Sequence, residues 1–170
     1  LEKRENKIMF TSTLSAMPRA FEGMAGHSNE KEFETKICTE VTGVPFGRIL
    51  SYSDGTGNSA RLPTVGDTEP DFCGISAHVN KVPNADGTVK YNLGDLINCC
   101  TEGSIFVYSS TAFEVTDSVF VRIVAEAGAN EDVGKVGNVT DVGNNVLWTR
   151  ARFRNSGSAG NLAEINIDLP

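Results

Sequence analysis

The side chains of this 170-residue chain best suited to acid–base, nucleophilic or metal chemistry are two imidazoles, His27 and His78, and four thiols, Cys38, Cys73, Cys99 and Cys100. Neither histidine sits in a nucleophile or metal motif: there is no G-x-S-x-G and no H-E-x-x-H. The cysteines show no C-x-x-C spacing, and adjacent Cys99 and Cys100 would point to opposite sides of a strand, which does not suggest a zinc clip with His27 or His78. They read as small buried thiols. Asp67, Glu69 and Asp71 alternate as calcium ligands do, but Pro70 intervenes and no later glutamate completes the set, so the segment reads as a solvated loop. Gly55, Gly57 and Ala60 match G-x-G-x-x-A, yet Pro63 follows where pyrophosphate binding needs a helix N-terminus. Carboxylate pairs such as Glu30 with Glu32, or Glu114 with Asp117, carry no glycosidase signature. The sequence therefore predicts no catalytic, cofactor or metal residue, and a chain that is not an enzyme.

Charge and composition narrow the partners. Fifteen Lys and Arg against 22 Asp and Glu give a net charge of −7, which opposes general affinity for nucleic acid or anionic membrane. A hydrophobic fraction of 39% with 17 glycines suits a turn-rich β domain rather than a disordered chain. No stretch reads as a signal peptide or as a membrane span of about 20 apolar residues, so the expectation is synthesis and initial retention inside a cell.

The elements that would position these residues are strands. Residues 92–125 alternate runs of β-branched and aromatic residues with turn chemistry, including Gly94-Asp95 and Glu102-Gly103 at hairpin-like intervals. In residues 118–124 the alternation is strict, with Val119, Val121 and Ile123 on the apolar face. Further strands are predicted at residues 32–40, at the edge of a sheet, at 48–52, 72–79 and 89–92, and a long loop at 128–143. The last hairpin pairs residues 145–154 with 162–169. Placing Arg154 opposite Leu162 sets Phe153 against Ala163, Ala151 against Ile165 and Arg152 against Glu164. Trp148, Arg150, Arg152 and Arg154 then form an outward row, an oligomer or partner face with Trp148 as its anchor.

The fold predicted is all-β, one β-sandwich or β-barrel-like domain over residues 32–170, preceded by an extended N-terminal arm over residues 1–31. Residues 9–26, MFTSTLSAMPRAFEGMAG, follow no stable period. Phe10, Leu14, Met17, Phe21 and Met24, with Pro18 and Arg19 among them, suit an arm that docks its apolar side chains on another chain.

The order of segments resembles the structural cement, or capsid decoration, proteins of tailed bacteriophages. It is carried by PRAFEGM (residues 18–24), VPFGR (44–48), a Gly-rich loop, FCGIS (72–76), LGDLI (93–97), EGSIFV (102–107), DSVFVR (117–122), VLWT (146–149) and LAEIN (162–166). The Cys99-Cys100 strand and residues 1–8 depart from that pattern. The resemblance implies a non-enzymatic protein, made in the host bacterial cytoplasm, that binds the outer surface of the major capsid protein shell. It also implies assembly with itself, as a trimer in preference to a dimer. Phe10, Leu14, Met17, Pro18, Arg19, Phe21 and Met24 would contact the capsid. The competing reading is a carbohydrate-binding or head-fibre module stacking sugars on Trp148, Tyr52 or Tyr91.

Overall fold

A computed structural model describes residues 20–28, 30–125 and 132–168 of the chain. Among the described residues there are nine strands: β1 (Glu32–Cys38), β2 (Ile49–Tyr52), β3 (Ser59–Arg61), β4 (Phe72–Ser76), β5 (Leu96–Tyr108), β6 (Ser118–Arg122), β7 (Val136–Gly137), β8 (Asn145–Phe153) and β9 (Leu162–Asp168). A three-residue 3-10 turn, Glu69–Asp71, precedes β4. The strands hydrogen-bond in the order β1-β3-β2-β4-β5-β9-β8-β6-β7, and β1 also pairs with β5. That extra pairing closes the first five strands into a barrel, so β1 is not the edge strand its sequence predicts. Closure supplies partners on both sides, β3 and β5.

The long β5 joins two cores. Its first half closes the barrel, and its second half pairs with β9. Leu50, Cys73, Ile97 and Cys99 fill the barrel with Cys38, Val44, Phe46, Ala60 and Tyr91. Their chain neighbours Ile49, Phe72 and Cys100 turn outward into a second core with Ile105, Val107, Val119, Val121, Trp148, Phe153, Ile165 and Ile167. Strands buried on both faces lose the apolar/polar alternation of a half-exposed sheet, which is why all five residues of FCGIS are buried.

Gly103 does not open a hairpin. β5 runs straight through it at φ +101°, and a Cβ there would lie 2.4 Å from the Glu30 carbonyl oxygen. Only glycine accepts both the dihedral and the approach of the N-terminal segment. The long loop expected at residues 128–143 contains β7, and residues 89–92 contribute a single bridge, Tyr91 to Val44, instead of a strand.

Candidate functional site

Residues 20–28 form a strap that runs antiparallel alongside β5, on the edge opposite β9. The Gly23 amide donates to the Phe106 carbonyl (2.7 Å), the Phe106 amide to Met24 (2.9 Å) and the Gly26 amide to Ser104 (2.6 Å), while Ala25 bridges Ile105 antiparallel. The His78 amide donates to the Gly23 carbonyl (2.8 Å) from the other side. Gly23 (φ +76°) and Gly47 (φ +66°) face each other so closely that a Cβ on Gly47 would lie 2.7 Å from the Gly23 nitrogen. Two glycines let the strap backbone lie directly on the body.

Side chains fasten both ends of the strap. Glu22 pairs with the buried Arg48 guanidinium, which also lies 3.6 Å from Asp132. At the other end, the carboxylate of the buried Glu164 accepts from the His27 amide (2.6 Å) and the Ser104 hydroxyl (2.7 Å), and His27 Nδ1 lies 3.1 Å from its second oxygen. Burial alone would raise the Glu164 pKa; the His27 amide, the Ser104 hydroxyl and the His27 ring outweigh it and hold the carboxyl below its usual value. Ser28 and Ser104 exchange two further hydrogen bonds, at 2.9 and 2.7 Å.

Of the residues expected to contact a partner, Phe10, Leu14, Met17, Pro18 and Arg19 lie outside the described residues. Phe21 and Met24 belong to the strap, so the boundary expected at 31/32 falls within hydrogen-bonded structure and residues 20–28 are bonded to the body. Phe21 is 47% exposed and meets His78 edge-on, ring centres 4.5 Å apart; His78 in turn packs on Phe46 at 4.6 Å. Beside them Val79, Val82, Pro83 and Val89 line a shallow apolar groove. Neither His78 nor this groove was singled out as a partner surface by the sequence, because the pieces come from three separate segments.

Trp148 is not an anchor on the outer face. It is fully buried in the second core, against Phe72 with ring centres 5.7 Å apart. The reason is a bulge: Thr149 and Arg150 are both exposed between buried Trp148 and Ala151, which breaks the strict alternation. Against β6 the register slips accordingly, from Leu147 opposite Phe120 to Arg152 opposite Ser118. Glu69 Oε1 accepts from the two amides left out of the ladder, Thr149 (2.7 Å) and Arg150 (3.2 Å), and from the Thr149 hydroxyl (2.7 Å). Arg150, Arg152 and Arg154 remain outward and exposed.

The terminal hairpin is shifted by two residues from the expected register. Phe153 lies opposite Ile165, Ala151 opposite Ile167, and Arg152 opposite Asn166 instead of Glu164. The Asn155 side chain takes the Glu164 amide (2.8 Å) and the Leu162 carbonyl (3.2 Å), and Gly157 exchanges backbone hydrogen bonds with Phe113. An even shift leaves Phe153, Ala151, Ala163, Ile165 and Ile167 on the core face.

The other chemistry-bearing residues have structural partners. Asp67 forms a two-pronged pair with Arg61 (2.7 and 2.9 Å); burial would raise its pKa, but Arg61 and the Thr64 amide bring it to about 2. The Asp71 carboxylate accepts from the Thr68 amide and hydroxyl at 2.8 Å. All four cysteines are free and buried, and burial pushes the Cys100 thiol up to about 12. Among the described residues no group of three or more His, Cys, Asp or Glu side chains is placed to hold a metal ion, and no helix is long and apolar enough to cross a membrane.

The fold is a closed five-stranded all-β barrel continued by the further strands of the same sheet, with residues 20–28 hydrogen-bonded to β5. The chain belongs to the structural cement protein family: the family model, described as structural cement protein (E217 gp24/Pam3 gp6), matches residues 10–168. The fold is similar to a chain in the capsid of Myoviridae phage XM1, with a TM-score of 0.66 and 14% identity over 93% of this chain and 98% of that one. It is also similar, at a TM-score of 0.40 and 15% identity, to the head fibre gp8.5 N base of bacteriophage phi29, covering 82% of this chain and 95% of that one. No curated protein sequence matches the chain at a significant level. The chain is a capsid cement protein by family.

Proposed function

We propose that this protein binds the outer surface of the phage major capsid shell and holds neighbouring capsomers together, its body seated on one subunit and residues 9–19 engaging the next. The observation that carries this reading is the strap. Whatever residues 9–19 grip, the load enters the body through residues 20–28, which are laced to the central strand β5 and to Glu164 on β9 and pinned at Arg48 by Glu22. A segment that served only as a loose terminus would need none of these fastenings.

The surface beside the strap supports the same reading. Phe21, His78, Val79, Val82, Pro83 and Val89 form an apolar patch continuous with the point where the chain enters the strap, and Val82 is 87% exposed. An exposed patch of this kind beside a tether suits a protein partner more than solvent. Arg150 and Arg152, outward on β8, and Arg154 just past its end are the contacts this reading gives to a neighbouring copy, with a trimer preferred over a dimer, since many weak symmetric contacts add through avidity.

Deleting residues 9–19 tests the proposal while leaving the strap intact. The shortened protein should melt as the full chain does and fail to sediment with expanded heads. Undiminished recovery with heads would take those residues out of the mechanism.

A further inference from the structure

Beyond the cement role, we propose that the cavity between Tyr52 and the β8 bulge binds a neutral saccharide. The cavity has a volume of about 350 Å³, within the range of small-ligand sites, about 300–1,000 Å³. Its lining includes Tyr52, Phe72, Glu34, Thr101, Thr149 and Arg150. Of the three aromatic rings the sequence offered as sugar platforms, Trp148 and Tyr91 are buried, and the Tyr91 hydroxyl is committed to the Ala77 carbonyl at 2.8 Å. Tyr52 alone is accessible, 36% exposed.

The lining matches what a sugar presents. A pyranose has an apolar C–H face that packs on an aromatic ring and a rim of hydroxyls, each of which both donates and accepts. Here Tyr52 supplies the ring, Glu34 and Glu69 supply carboxylate acceptors, Arg150 supplies donors, and Thr101 and Thr149 supply hydroxyls. Glu69 Oε1 is taken up by the bulge, and Oε2 makes no hydrogen bond among the described residues. Glu34 pairs with Lys36, whose ammonium also lies over the Tyr52 ring, and Arg150 balances Glu69, so the site carries no net charge and offers phosphate, sialic acid and uronic acids no ionic gain to offset their desolvation. Glu69 acts as a positioning residue: by holding the Thr149 and Arg150 amides it sets the Arg150 side chain at the cavity rim.

The test uses the intact protein on an array of neutral and acidic oligosaccharides, followed by calorimetric titration of the strongest neutral hit. The proposal expects binding of neutral glycans only, weakened about tenfold or more in both Tyr52→Ala and Arg150→Ala, with thermal melting unchanged. Should Tyr52→Ala fail to fold, Arg150→Ala, whose backbone bond to Glu69 survives the substitution, decides alone. Absence of any neutral glycan binding at millimolar concentration, binding confined to acidic glycans, or unchanged affinity in the folded variants would each overturn it. Recovery of Tyr52→Ala with heads at the wild-type level separates this site from the cement role.

Discussion

Glu69 and Thr149 are 80 residues apart in sequence, yet one carboxylate oxygen of Glu69 lies 2.7 Å from both the amide nitrogen and the hydroxyl of Thr149. A β-bulge frees backbone donors from the ladder, and those donors need partners. The 3-10 turn before β4 delivers the acceptor. Glu69→Ala should therefore destabilise the protein by about 0.5–1.5 kcal/mol, since the freed donors lie at the surface and water takes them up. Glu69→Gln should cost less, since an amide oxygen still accepts. Chemical denaturation of the three proteins checks this, and the Thr149 and Arg150 amides should exchange faster with solvent in Glu69→Ala.

Trp148 distinguishes a core residue from an interface anchor. Trp148→Ala should cost about 3–5 kcal/mol, as large-to-small changes in a packed core do. Arg152→Ala, on an exposed face, should stay within about 0.5 kcal/mol. Thermal melts of the isolated proteins provide the comparison; a Trp148→Ala protein as stable as the parent would place the indole on the surface.

The strap should open in acid before the barrel does. Glu164 is held below its ordinary carboxylate pKa by its hydrogen bonds to His27 and Ser104. A lowered native pKa means the stabilisation is complete above the unfolded value, about 4.3, and is lost as pH falls through the lower native value. Hydrogen exchange at the Gly26, His27 and Ser28 amides, followed from pH 6 downward, should show protection fading below about pH 4. Glu164→Gln should remove most of this pH dependence and leave those amides less protected at pH 6.

Gly103 tests the close approach of the chain just after the strap to β5. Gly103→Ala places a methyl group where the Glu30 carbonyl lies and forces a non-glycine residue to φ +101°. The backbone alone should cost about 1–3 kcal/mol. Because the clash is with the segment just after the strap, protection at Ser28 should fall more than protection in the barrel strands.

The cysteines should be silent in the native state. Burial raises Cys38 and Cys100, and the neighbouring Cys73 thiol together with burial raises Cys99, which leaves little thiolate at neutral pH. Thiol reagents should label none of the four until denaturant is added, and rapid labelling of Cys100 in the folded protein would contradict its burial.

The sequence disclosed much of the fold and little of the surface. Val119, Val121 and Ile123 follow a strict two-residue period, and all three are buried. The parity of the last hairpin was legible for the same reason, because Phe153 and Ile165 alternate with polar residues. Three features were not legible, since each depends on groups distant in the chain. Asn155 and Phe113 set the hairpin register, Glu69 stabilises the bulge that buries Trp148, and Arg48, Ser104 and Glu164 hold residues 20–28. Residues 9–26, apolar but without a stable period, read as one continuous arm; side-chain types do not reveal where backbone hydrogen bonding to another strand begins.

The central claim is that residues 20–28 fix the body to a gripping segment that lies before them. Cryo-electron microscopy of expanded heads reconstituted with the full-length protein tests it most directly. The account predicts density for residues 9–19 on an adjacent capsid subunit, with residues 20–28 still paired along β5 and Phe21 against His78. Density that folds residues 9–19 back onto their own body, or heads held only through the opposite side of the barrel, would contradict it.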